Sequence, residues 1–167
     1  MIPLPFPSPL EDFERQAADL LAGGRSADPD ATHTVPRDLA DAQLALARAY
    51  SFRDWPSLTA WVEEVARPNS AVARFESAVE AVITGDMPTL RLLLAADPDL
   101  VRARSTIVSD RDPPVHAATL LHYVAANAVE DYRQKTPPNA VEVARCCSRA
   151  APSPMPWQVC TAASAPR

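Results

Sequence analysis

Residues 119–127 read TLLHYVAAN, and this stretch decides how the chain folds. The Thr119 hydroxyl can cap a helix, and Leu120 and Leu121 continue it. Ala125 and Ala126 keep its surface low, so a neighbouring helix can approach closely. Away from this stretch, apolar residues recur at helical spacing without strand-type alternation. The predicted class is all-α.

The composition narrows the function. At 167 residues the chain suits one modest domain or a few stacked helix pairs. A net charge of -5 argues against nucleic acid or an anionic membrane as partner, since both need a basic face. There is no run of some 18 apolar residues that would make a transmembrane helix. MIPLPFPSPL at the start has no charged n-region and interrupts its apolar run with prolines, so it does not read as a secretory signal. The three cysteines, Cys146, Cys147 and Cys160, match no zinc spacing, and their odd count argues against a disulfide framework. The expected location is the reducing cytoplasm, with no metal and no cofactor.

Working toward the N-terminus, residues 10–21 (LEDFERQAADLL) place Leu10, Phe13, Ala17, Leu20 and Leu21 on one face, with Gly23 and Gly24 as the stop. Asp38 can cap a second helix to about Tyr50, with Leu39, Ala42, Leu46 and Ala49 facing inward. Asp54 can cap a third, with Pro56 in its first turn. Its stripe is Trp55, Leu58, Trp61, Val62 and Val65. The two tryptophans fit either a core or a ligand-binding aromatic patch, and their helical spacing favours the core. A further pair follows: a helix over residues 76–84, Gly85 at a left-handed site, then Asp86 capping a helix with Met87, Leu90, Leu93 and Leu94 inward.

TLLHYVAAN resembles the opening of an ankyrin repeat, whose signature is Thr-Pro-Leu-His followed by small residues. Residues 76–102 resemble the core of a degenerate repeat, with Gly85 at the family's glycine. Glu76, Ser77, Ala78 and Val79 stand in place of the tetrapeptide. Residues 1–68 resemble a helical segment found ahead of the repeats in a group of bacterial ankyrin-repeat proteins, which usually have Gly where this chain has Ser51. The resemblance implies a helix-turn-helix solenoid that binds an unknown protein partner and performs no catalysis. It divides the chain into a segment 1–68, about two repeats over 70–147, and a tail 148–167 expected to be disordered. It also makes Thr119, Leu121, His122, Ala125 and Gly85 the structural motif positions, with the His122 imidazole tying neighbouring loops together. An insertion from about Glu130 to Pro138 lengthens the turn of the second repeat, and Asn139 caps its second helix, Ala140 to about Arg145.

Between the repeats lies Arg104 to Ala118, the protruding finger of such a fold and longer than usual here. Loops on a rigid scaffold concentrate binding residues, so Arg104, Asp110, Arg111, Asp112 and His116 are the candidate partner contacts. A small hydrolase using His116 or His122 beside Asp112 is the enzyme alternative, and no nucleophile motif, phosphate loop or metal spacing accompanies those residues.

After Arg145 the composition changes. Residues 146–167 contain no Leu, Ile, Phe, Asp, Glu or Gly and hold every cysteine. Read one base earlier, the degenerate codons of this tail can encode a normal repeat ending. The tail is therefore read as out of frame, and a truncated, non-functional fragment of a longer ankyrin-repeat protein is the second functional reading. It predicts an exposed apolar face around Leu121, Val124, Val141 and Val143.

Overall fold

Acidic or hydroxyl side chains start most of the long helices. In the computed structural model, which describes residues 4–24, 35–111, 117–125, 130–133 and 135–150, α1 spans Leu10–Gly24, α2 Leu39–Ala49, α3 Trp55–Ala66, α4 Ala71–Thr84 and α5 Met87–Ala96. Two more follow, α6 over Leu120–Val124 and α7 over Ala140–Ala150, with short 3-10 turns at Pro98–Val101 and Asp131–Arg133. Asp38, Asp54, Ser70 and Asp86 each accept a hydrogen bond from the backbone N–H three residues on, so a donor that the helix itself leaves open is satisfied. Pro56 sits in the first turn of α3, as its missing N–H requires. The all-α class is therefore as the periodicity predicts.

Two apolar clusters form the core. The first joins Phe13 and Ala17 of α1, Leu46 and Ala47 of α2, Tyr50, Phe52, and Leu58 and Val62 of α3. The second joins Phe75, Val79 and Val82 of α4, Leu90 and Leu94 of α5, Leu120 and Tyr123 of α6, and Val143 and Cys147 of α7. Within it α4 packs on α5 and on α6, while α7 packs on α5 and α6. The clusters are linked across the chain: Ile107, from the connection after α5, is buried in the first cluster, and Tyr132 packs against it.

Several expected faces shift. In α2, Leu39 is 47% exposed and Ala49 is exposed, whereas Ala47 and Tyr50 are buried. The stripe runs 42, 46, 47 and 50, because α1 covers the face that carries Leu46 and its i+4 neighbour. Trp55 and Trp61 are half-buried against the first cluster. Leu121 and Val141 are exposed as expected, but Val143 is buried and Val124 packs against the second cluster.

The largest difference lies at α7. The helix passes Arg145 and runs to Ala150, so residues 148–150, assigned to the tail, are helical. Val143 and Cys147 are four residues apart and share a buried face, with Cys146 and Ala150 packed beside them. Small apolar side chains thus continue the stripe past the change in composition. Burial, followed by the neighbouring Cys146, pushes the Cys147 thiol up to about 11, which leaves it a packing group and not a thiolate. The expectation for residues 151–167 falls outside the described residues.

Ser51 occupies a backbone position that favours glycine. Its φ is +66°, in the left-handed region, and it is buried. Replacing Ser51 by Gly relieves that strain at the cost of a more flexible unfolded chain. The expected gain is about 0.5–1 kcal/mol, read as a higher urea midpoint. A midpoint that falls instead means the serine hydroxyl contributes more than the strain costs.

Candidate functional site

The connection after α5 carries the residues first expected to meet a partner. Arg104 is exposed, and its Nη1 donates to the Ala117 carbonyl at 3.1 Å, closing the loop at its base. Ser105 N–H donates to the Ala118 carbonyl at 2.8 Å just inside that closure. Beyond it Ile107 and Val108 are tied to the fold. Ile107 is buried in the first cluster, and Arg53 N–H donates to the Val108 carbonyl at 2.8 Å. The apolar side chain of Ile107 is what pulls this half of the finger down. Asp110 and Arg111 then emerge exposed, while Asp112 and His116 lie outside the described residues.

His122 holds its own helix start. Its Nδ1 accepts from Thr119 N–H at 3.1 Å and lies 2.9 Å from Thr119 Oγ1. The bond expected between neighbouring loops is thus made within one turn, because the exposed ring folds back over the N-terminus of α6. Leu121 on the same short helix and Ala125 at its C-terminal cap are exposed. The bridge between loops comes from elsewhere. Asn139 stands at the start of α7 as expected, its carbonyl accepting from Val143 N–H at 3.1 Å, and its Nδ2 also donates to the carbonyl of Gly85 at 2.9 Å.

Gly85 itself ends α4 at φ +74°, the left-handed conformation expected of it.

The residues read as an insertion contain the most unusual group in the molecule. Glu76 of α4, Tyr123 of α6, Glu130 and Arg133 are all buried. Arg133 Nη1 donates to Glu76 Oε2 at 2.6 Å and to Glu130 Oε2 at 3.2 Å, and the Tyr123 hydroxyl donates to Glu130 Oε1. Among the described residues, Glu76 Oε1, Arg133 Nη2 and Trp61 Nε1 are buried without a hydrogen-bond partner. The indole N–H approaches the Glu76 carboxyl and favours its charge slightly, but without the geometry of a full bond.

Burial, opposed by Arg133, holds the Glu76 carboxyl above the ordinary carboxylate value, and Glu130 adds to the rise. Burial pulls Arg133 down, but Glu76, Tyr132 and Glu130 outweigh it and the guanidinium stays charged. Burial and the two carboxylates hold the Tyr123 phenol well above its usual range, so it remains a donor. A sequence signal for this cluster exists. Glu76 lies on the same helical face as Val79 and Ile83, and a carboxylate on an apolar stripe needs a cation brought from elsewhere.

Beside this cluster is a cavity of 380 Å³. Five of the chain's ten aromatic side chains line it: Phe6, Phe13, Tyr50, Trp61 and Tyr132. Such a concentration makes it a platform for rings and other flat apolar groups. Glu80, Arg133 and Lys135 supply its charged groups. Trp61 packs 5.4 Å from the Phe52 ring, as the core reading expects, and also walls this cavity.

Among the described residues no three His, Cys, Asp or Glu side chains gather as metal ligands, and no helix is long and apolar enough to cross a membrane. No protein-family model matches the chain, and no curated protein or solved structure matches it either.

Proposed function

We propose that this chain is a protein–protein interaction module of the ankyrin-repeat type, working in the cytoplasm without catalysis or cofactor. The observation that carries the reading is the stacking of helix pairs. Helix α6 lies against α4 and α7 against α5, and the Asn139–Gly85 hydrogen bond ties the two turns. A stack of this kind buries a continuous core between units and offers its connections on one side. The long connection from residue 104 to 118 is the contact surface, anchored at Arg104 and Ile107 so that Asp110 and Arg111 are displayed on a fixed base. The His122 ring is committed to Thr119, which supports a scaffold role over that of a base in a hydrolase.

The test is capture of a specific partner from lysate by the full chain. Replacing Arg104 and Arg111 together by Ala is expected to weaken that capture about tenfold, the loss of one well-placed contact. Capture that is unchanged by both substitutions places the contact surface elsewhere. A bound set made up only of chaperones supports the fragment reading, which the changed composition after Arg145 keeps in play.

A further inference from the structure

The segment Leu4–Ser8 crosses the aromatic cavity as a strap, and it shows what chemistry the groove accepts. Prolines 3, 5, 7 and 9 alternate with other residues here. Leu4 and Phe6 turn half-buried toward the groove, while Pro5 and Pro7 stay exposed. The Phe6 ring lies 6.4 Å from that of Trp61, and the Arg133 guanidinium sits 5.9 Å from the Phe6 centroid. Leu4 N–H donates to the Tyr50 hydroxyl at 2.8 Å. Pro5 and Pro7 have no N–H to offer, so the strap is held by side chains more than by its backbone.

The strap also underfills its groove. The 380 Å³ cavity is walled by the strap on one side and by Tyr50, Trp61, Val62, Ile83 and Tyr132 on the other. Concave pockets of this size with mostly aromatic and apolar walls are the usual form of a binding site. Proline-rich segments suit such a place because they lose little freedom on docking onto aromatic walls. The exposed Lys135 at the edge of the cavity can donate to a carbonyl of such a segment.

We propose that this groove is a docking site for a proline-flanked aromatic segment of a partner protein, and that Leu4–Ser8 occupies it in the partner's absence. The proposal rests on the reading of the chain as an interaction module and names the chemistry of its partner. The partner segment carries Pro-aromatic-Pro and is uncharged. Its ring replaces Phe6 against Trp61, and its flanking carbonyls face Lys135. The chain's own strap competes with it, so apparent affinity is lowered by the fraction of chains whose groove is closed.

The test uses the full chain and a fluorescein-labelled peptide, IPLPFPSPL, which is the chain's own residues 2–10. Phe6→Ala loosens the strap and is expected to tighten peptide binding about tenfold over the unaltered chain, measured by fluorescence polarisation. The same peptide with its Phe changed to Ala is expected not to bind. In the Phe6→Ala background, Val65→Trp fills the cavity and is expected to abolish binding with an unchanged circular dichroism spectrum. If that variant does not fold, the exposed Lys135→Glu provides the second arm and is expected to weaken binding severalfold. Equal affinity of the unaltered and Phe6→Ala chains, or binding indifferent to both groove variants, overturns the proposal. A concentration-dependent dimer in place of peptide binding also overturns it, in favour of strap exchange between copies. Partner capture that depends on Arg104 and Arg111 alongside a failed peptide titration removes this proposal alone. Saturable peptide binding alongside capture indifferent to those arginines removes the finger surface alone.

Discussion

Replacing Arg133 with methionine is expected to cost about 3–5 kcal/mol of stability at neutral pH, the usual penalty for removing one partner of a buried ion pair. The side chain is only 4% exposed and carries the positive charge between two fully buried carboxylates. Methionine keeps much of the volume, so the loss is electrostatic more than steric. Glu76 and Glu130 then lose the guanidinium they share, and burial raises the Glu76 carboxyl further with Arg133 no longer opposing it. Urea denaturation measures the change. A loss below about 1 kcal/mol would mean that solvent already reaches the cluster and shares the charge.

The pH dependence separates this cause from a packing defect. In the native chain the Glu76 carboxyl is held above the ordinary 4.5, so the folded state keeps this proton to higher pH than the unfolded state does. Stability from this group is greatest below 4.5 and falls as pH rises through the folded value. Without Arg133 the fall extends further, because nothing opposes the effect of burial. The gap between variant and native chain should therefore be widest near neutral pH and narrow on acidification. Adding Glu76→Gln and Glu130→Gln to Arg133→Met is expected to recover most of the loss, since neutral amides do not need the guanidinium. A gap that stays constant with pH would assign the cost to packing.

The same residues show why sequence reading stopped where it did. Caps were legible because their chemistry is local: Asp38, Asp54 and Asp86 each meet a donor three residues away. The helix faces were legible in outline, and the phase of α2 slipped because it depends on which neighbour covers it. Gly85 was legible as a backbone conformation that few residues tolerate, whereas the left-handed φ of Ser51 was not read from the sequence. The Glu76–Arg133 pair was not, since it joins positions 57 residues apart and one partner lies in what reads as an insertion. A glutamate on the apolar face of α4 and an arginine in the turn before α7 meet in one ion pair. Each looks out of place when read alone, and together they form a buried contact between α4 and the turn before α7. The aromatic cavity was hidden for a similar reason, because Phe6, Tyr50, Trp61 and Tyr132 come from four separate parts of the chain.

Gly85→Ala is expected to cost about 2–4 kcal/mol, from two sources that can be measured apart. The first is the backbone. At φ +74° an alanine Cβ is crowded by its own chain, a strain of about 1–3 kcal/mol. The second is the neighbouring turn. A Cβ placed on Gly85 falls 2.3 Å from Asn139 Oδ1 and 3.1 Å from Pro137 Cβ, so the Asn139 side chain must move. Its 2.9 Å hydrogen bond to the Gly85 carbonyl is then lost, for about 0.5–1.5 kcal/mol more. A double-mutant cycle with Asn139→Ala divides the two. In that background the Asn139 clash and the hydrogen bond are already gone, so Gly85→Ala should cost only the backbone strain and the 3.1 Å contact with Pro137 Cβ. The difference between the two backgrounds is the coupling between the first helix pair and the second. A cost that is the same in both would show that the turns do not touch in solution, and would remove the tie on which stacking of α4–α5 against α6–α7 partly depends.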